Sequence, residues 1–300
     1  MKVLIAGGSG LVGAALTTSL RRDGHIVSRM VRLGSQATPG DVQWNPLSAS
    51  VDVPAMEGFD AVVNLSGASI ADGRWTPKRK QVLRGSRVDS TRVLVDALTH
   101  LKQPPRVFVC ASAIGFYGDR GDEVLTESSG HGNDFLSIVC RAWEGEAARA
   151  AASGIRTVIT RFGIVLSVDG GALPRMLTPF RFGAGGRLGS GKQWMSWIAL
   201  EDVVRVLRVA IDDASWNGPV NVVAPEPVRN AEFTRVLASV LHRPAIFPAP
   251  ALALRLALGE MADALLLSSQ RVRPEYLARY GYAFRYENLE AALHAVVAKA

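Results

Sequence analysis

Apolar and polar positions along the first three quarters of the chain alternate between two rhythms. Residues 2–6 are a short apolar and β-branched run. A glycine-rich turn follows, and residues 11–22 then carry apolar positions at helical spacing up to a stop at Gly24. The pattern predicts strand, tight turn and helix. It predicts further strands at 25–31, 60–65, 106–111, 156–161 and 219–223, and helices over 86–101, roughly 135–153, and 201–212. Strands alternating with helices predict an α/β fold, a doubly wound parallel sheet with helices on both faces. Ligands of such sheets bind beyond the carboxyl ends of the strands. From about Pro225 the rhythm changes: helices are predicted over 230–241 and 251–266, with prolines at 225, 227, 244, 248 and 250 punctuating them. The expected organisation is a larger domain over 1–224, a small C-terminal domain over 225–300, and a glycine-rich substrate flap over 170–200.

Composition narrows the class. With 300 residues, 48% hydrophobic and 20% charged, the chain is globular and long enough for a large domain and a smaller one sharing a cleft. The glycine turn comes too soon after Met1 for a signal peptide. The most apolar late stretch, 249–267, contains Arg255, Glu260 and Asp263, so no membrane span is expected. Two cysteines, Cys110 and Cys140, make neither a disulfide framework nor a zinc site. A reducing, cytoplasmic compartment and no metal are expected. Much of the net charge of +7 lies in 74–92, a stretch that belongs to no nucleic-acid reading motif. It reads as a solvated helix face or as attraction for a polyanionic cofactor, and no nucleic-acid partner is expected.

The strongest local signal is Gly7-Gly8-Ser9-Gly10-Leu11-Val12-Gly13, a Gly-x-x-Gly-x-x-Gly turn between a strand and a helix. Glycine permits the tight turn and lets backbone approach a pyrophosphate, while the helix N-terminus offers unpaired N–H groups. This is the phosphate turn of a Rossmann-type sheet. At the end of the second strand, where NAD-dependent folds place a carboxylate near the ribose 2′-hydroxyl, stands Arg32; no carboxylate occurs between Asp23 and Asp41. A guanidinium there suits a 2′-phosphate and predicts NADP(H).

Together with Asn64-Leu65-Ser66-Gly67-Ala68 and the run from Ala111-Ser112-Ala113 to Phe116-Tyr117-Gly118, the turn resembles the extended short-chain dehydrogenase/reductases. Arg74-Trp75-Thr76, Ser86-Arg87, Trp143-Glu144, the segment 189–198, Pro219-Val220-Asn221 and Gly259-Glu260-Met261 narrow the resemblance. They look like the atypical, YfcH-type epimerase/dehydratase-like branch, whose members end in a domain of unknown function. The resemblance implies these roles: Gly7, Gly10 and Gly13 shape the turn; Ser9, Leu11 and Val12 offer backbone N–H groups; Arg32 takes the 2′-phosphate. Leu65, Ser66 and Gly67 pass along the ribose. Arg87 reaches the phosphates or the adenosine ribose, Ser112 sits beside the nicotinamide, and Val165 closes over it. A homodimer is common among such proteins.

The chain departs from that pattern where the chemistry is usually done. The helix over 135–150 reads FLSIVCRAWEGEAARA, so the Tyr-x-x-x-Lys pair that normally moves the proton is absent. Ser112 and Tyr117 are the nearest catalytic candidates, and Glu144 is a further possible acid or base; Glu123 and Glu127 read as exposed loop residues. A histidine common just before an aspartate in the position of Asp202 is also absent. On the substrate side, Arg187, Lys192, Gln193, Trp194 and Trp197 combine aromatics with basic groups, which suits a flat or anionic small molecule. Two readings follow: an NADP(H)-dependent oxidoreductase or epimerase-like enzyme acting on a small polar metabolite, or a non-catalytic NADP(H)-sensing regulator.

Overall fold

The computed structural model describes residues 1–298. Its centre is an eight-stranded sheet. Six strands are β1 (Lys2–Ala6), β2 (Ile26–Arg32), β3 (Val42–Asn45), β4 (Ser50–Val51), β5 (Ala61–Asn64) and β6 (Val107–Ala113), joined by Arg156–Phe162 and Gly218–Val222. Across the sheet the order is Gly218–Val222, Arg156–Phe162, β6, β5, β1, β2, β3, β4. All pairs are parallel except β3 with β4. The order reverses between β1 and β5, which opens a crevice at their carboxyl ends.

The period of two along β1 explains both cores. Val3 and Ile5 face one side, with Leu16 and Leu20 of α1 (Leu11–Arg22) and Val203, Val206 and Leu207. Leu4 and Ala6 face the other, with Leu94 and Leu98 and with Trp143 and Ala147. These belong to the helices that flank that side. Pro77–Gly85 (α2) leads into Val88–Thr99 (α3), and Phe135–Ala152 (α4) packs beside it. Thr76 caps α2 by accepting from the Arg79 N–H, and Pro77 begins it, so part of the basic stretch over 74–92 is a short helix. β3 escapes the sequence pattern because it is four residues long, with only Val42 and Trp44 turned inward.

The flap and the C-terminal segment are built differently from expectation. Residues 173–181 form a helix, Leu173–Arg181 (α5), inside the supposed flap. Leu173 and Leu177 of α5 and the buried Trp197 share one core with Phe233 and Leu237 and with Leu293. Phe233 and Leu237 lie on Asn230–Leu241 (α7), which follows Leu200–Asp212 (α6), and Leu293 lies on the Leu289–Val297 helix. Leu277 instead joins the sheet core, and the fully buried Asp202 carboxylate accepts the backbone N–H groups of Arg285 and Tyr286. Among the described residues, 225–298 therefore have no core of their own. The helix expected over 251–266 is broken by Gly259 at φ +64°, which ends Ala251–Leu258 (α8).

Candidate functional site

The phosphate turn follows β1 and ends in α1. Gly7 has φ +80°, and a Cβ there would lie 2.6 Å from the Leu65 carbonyl. A Cβ on Gly13 would lie 2.3 Å from the Gly7 oxygen. These two glycines let the turn, the helix and the loop after β5 touch. Gly10 caps α1 without a side-chain hydrogen bond, and the first turn of α1 holds no acidic residue. Ser9 is exposed and Leu11 and Val12 are half-buried, so the helix N-terminus is free for an anion.

Arg32 closes β2 on the exposed side and makes no ion pair among the described residues. The nearest following carboxylate, Asp41, is committed to Arg29 at 2.6 Å. Although burial works to raise it, hydrogen bonds from Arg29 and Thr38 hold the Asp41 carboxyl well below the usual carboxylate range.

Leu65, Ser66 and Gly67 form the loop after β5. Buried Asn64 organises it, accepting from the Ser66 N–H and donating to Thr91 at 2.8 Å. The guanidinium of Arg87 lies against Gly67, where a Cβ would come within 3.1 Å of it. It donates to the Ala68 and Leu83 carbonyls and has no carboxylate partner among the described residues. Desolvation lowers its pKa, and nearby Arg79 adds to that. The buried Nε of Arg79 has no hydrogen-bond partner. The Arg87 guanidinium, without a carboxylate partner among the described residues, together with an uncapped helix N-terminus and two crowded glycines, fits a dinucleotide carrying several phosphates.

At the end of β6 a buried chain of polar groups begins. Ser112 donates to Glu144 Oε1 at 2.6 Å. Arg161 grips the same carboxylate with both Nε and a terminal nitrogen, each at 2.8 Å. Its other terminal nitrogen donates to the Tyr117 hydroxyl at 2.8 Å, which donates on to Asn221 at 2.7 Å. The guanidinium also lies 3.7 Å over the Phe116 ring. Tyr117 is wholly buried, and burial pushes its hydroxyl up to about 12. Tyr117, expected as a catalytic candidate, is thus a core residue whose hydroxyl is consumed by Arg161 and Asn221. Glu127 is likewise not a free loop acid: its Oε1 accepts the N–H groups of Asn221 and Tyr276.

The proposed substrate residues are dispersed. Trp197 is fully buried, with Nε1 donating to the Glu226 carbonyl. Gln193 is buried and ties the Leu188 carbonyl to that of Leu266. Both hold the flap against the C-terminal segment and offer nothing to a ligand. Trp194 remains partly exposed, sandwiched between Arg229 at 4.2 Å and Arg271 at 4.5 Å. Lys192 is exposed, and Arg187 is exposed on a separate groove beside α7. Gly170 and Gly171 rest on the Leu11 side chain, so the start of the flap lies against the first residue of α1. Val165 is half-buried in a short parallel pair with Ile198, and its carbonyl lies near Gly171.

The chain matches the model of the NAD dependent epimerase/dehydratase family over residues 3–223, and a domain of unknown function, DUF1731, over 249–296. Epimerase family protein YfhF of Bacillus subtilis is 40% identical over 302 residues, covering 99% of this chain and 98% of that one. The human epimerase family protein SDR39U1 (isoform 2), crystallised with NADPH, has a TM-score of 0.92 at 34% identity, covering 100% of both chains. MoeE5, solved with UDP-glucuronic acid and NAD, shares the fold at a TM-score of 0.78 and 20% identity, over 99% of this chain and 97% of that one. On these matches, and on a mostly parallel sheet with a glycine turn after its first strand, the chain belongs to the NAD dependent epimerase/dehydratase family.

Proposed function

We propose that this protein is an NADP(H)-dependent oxidoreductase or epimerase-like enzyme acting on a small polar substrate with a carbonyl or sugar-like hydroxyl, in a reducing cytoplasmic compartment. The observation that carries the cofactor choice is Arg32, an unpaired guanidinium at the end of β2 where an NAD-selective site would need a carboxylate. The crystallisation of human SDR39U1 with NADPH supports the same choice. Gly7, Gly10 and Gly13 would hold the pyrophosphate with the N–H groups of Ser9, Leu11 and Val12, and Arg87 would neutralise it. Leu65, Ser66 and Gly67 would line the ribose, and Val165 would close the nicotinamide end.

NADP(H), when bound, exchanges a hydride with the substrate carbon. The chain's own task is the accompanying proton. Ser112 is almost fully buried near the end of β6; because it spends its proton on Glu144, its oxygen would offer only lone pairs to a substrate hydroxyl that reached it. As that proton moves onto Ser112 Oγ, the serine's own proton passes to Glu144 Oε1, and the reverse order protonates a nascent alkoxide. Ser112 is the group that touches substrate. Glu144 is the proton reservoir, and Arg161 fixes its geometry. Lys192, exposed, would remain available to the substrate, whereas the Trp194 ring is held by Arg229 and Arg271 and its Nε1 donates to Asp122.

Calorimetric titration of nucleotide-stripped protein tests the reading. NADPH should bind at least ten-fold more tightly than NADH, and Arg32→Asp should erase or invert that preference. Equal binding of both dinucleotides would refute the role of Arg32. Oxidation of bound NADPH by a panel of carbonyl compounds, abolished in Ser112→Ala, separates an enzyme from the alternative, an NADP(H)-sensing regulator without turnover.

A further inference from the structure

Five exposed apolar side chains, Phe182, Ile246, Phe247, Leu252 and Leu256, lie on two segments that meet. Phe182 is 84% exposed at the end of α5, and Ile246 and Phe247 are 71% and 58% exposed. The two segments run side by side: Phe247 N–H donates to the Gly185 carbonyl, Ala249 N–H to Arg187, and Arg243 Nε to Arg181. Two residues on, the chain enters α8, whose sequence ALALRLAL buries none of its eight residues, with Leu252 and Leu256 turned outward one helical turn apart. Leu258 packs against the cluster of Trp75, Leu83 and Met261, while the face of α8 that carries Leu252 and Leu256 stays exposed.

The rim of this patch is basic. Arg181, Arg187, Arg235 and Arg243 are all exposed, and none forms an ion pair among the described residues. Arg187 and Arg235 flank a groove of about 490 Å³ floored by Ala231, Ala238, Ile246 and Pro248. The acids nearest α8 are spent, Asp263 on Arg255 and Glu260 on Lys80. Glu232, one helical turn before Arg235, is the remaining acid on α7 at this end.

We propose that this corner is a docking surface for an anionic lipid membrane. The chemistry is that of a peripheral contact: two phenylalanines and branched aliphatic side chains to enter the headgroup boundary, and unpaired arginines around them to meet lipid phosphates. A second copy of the chain fits poorly. A two-fold contact would press the patch against itself and bring the four arginines toward their symmetry mates, with Glu232 as the one acid on α7 to offset them. No helix among the described residues is long and apolar enough to cross a membrane, so contact is confined to the surface. The groove between Arg187 and Arg235 would take a single lipid phosphate, its apolar floor the adjoining glycerol and acyl carbons.

Co-sedimentation of the full chain with vesicles tests this, comparing phosphatidylcholine alone with phosphatidylcholine mixed with phosphatidylglycerol. The protein should pellet only with the anionic vesicles and should be released by salt. Arg181→Gln and Arg243→Gln should each weaken partitioning about five-fold. Phe182→Ser combined with Phe247→Ser should abolish it, with melting temperature and NADPH affinity unchanged because both side chains lie at the surface. Failure to pellet with anionic vesicles, or equal pelleting by the Phe182→Ser/Phe247→Ser variant, overturns the proposal. So does a dimer in light scattering that this variant dissociates, which would give the corner to a second copy. None of these outcomes bears on cofactor binding, so this proposal and the functional one fail separately.

Discussion

Removing Arg161 puts the buried polar chain under the most direct strain. Arg161→Met keeps the length of the side chain but leaves the Glu144 carboxylate, 11% exposed, with only the Ser112 hydroxyl to solvate it. Stranding one member of a buried ion pair costs about 3–5 kcal/mol. The lost hydrogen bond to Tyr117 adds about 1 kcal/mol. Arg161→Met should therefore destabilise by about 4–6 kcal/mol. Glu144→Met strands the guanidinium instead, against the Phe116 ring and the Tyr117 hydroxyl, and should cost about 3–5 kcal/mol. The double variant removes both charges and fills the space with apolar atoms. It should fall within about 2 kcal/mol of the wild type, because burying two charges is itself expensive.

The coupling between the two substitutions is then about 5 kcal/mol or more, well beyond the few tenths expected of independent sites. Urea unfolding followed by tryptophan fluorescence reads it, provided the slopes with denaturant stay constant across the four proteins. Single-variant losses that simply add in the double variant would refute the argument. The two side chains would then be acting separately, and Ser112 would be donating to a carboxylate that nothing holds in place.

Two further predictions concern local geometry and pH. Gly13→Ala puts a methyl group 2.3 Å from the rigid Gly7 carbonyl, so it should cost about 1–3 kcal/mol and lower NADPH affinity at least ten-fold, whereas the Cβ of Gly10→Ala meets the same oxygen at 3.4 Å and should cost at most about 1 kcal/mol; thermal melts and calorimetry of the two variants check the contrast. Hydrogen bonds from Ser215 and Tyr280 hold the Asp213 carboxyl at about 2, below its ordinary 3.8, so it contributes stability above pH 3.8 that is lost as pH falls toward 2, and Asp213→Asn should flatten the fall of melting temperature across that window.

The sequence was most legible where a residue's role is fixed by its own backbone. Gly7 and Gly13 announce the turn because no other residue fits their neighbours, and β1 announces both cores because a strand alternates sides. Residues whose role depends on a partner far along the chain were less legible. Trp197 and Gln193 lie in a glycine-rich segment, where an aromatic or an amide reads alike whether it faces a ligand or a core. What settles their direction is α7, the Leu289–Val297 helix and the Leu266 carbonyl, all supplied by chain that arrives later. Tyr117 was misplaced for the same reason, its partners Arg161 and Asn221 being 44 and 104 residues away. A signal was nonetheless present in the charges at buried registers. Arg161 stands at a buried register near the end of its strand, Glu144 follows Trp143 on the inward side of α4, and Asp202 sits among the valines that begin α6. A charged residue at an inward position must find a counter-charge or a set of donors, since burying it bare costs more than a domain's margin of stability allows. Pairing such misfits with one another, rather than scanning for Tyr and Lys at a fixed spacing, leads from the strand that carries Arg161 to Glu144, and from Glu144 to Ser112 near the end of β6.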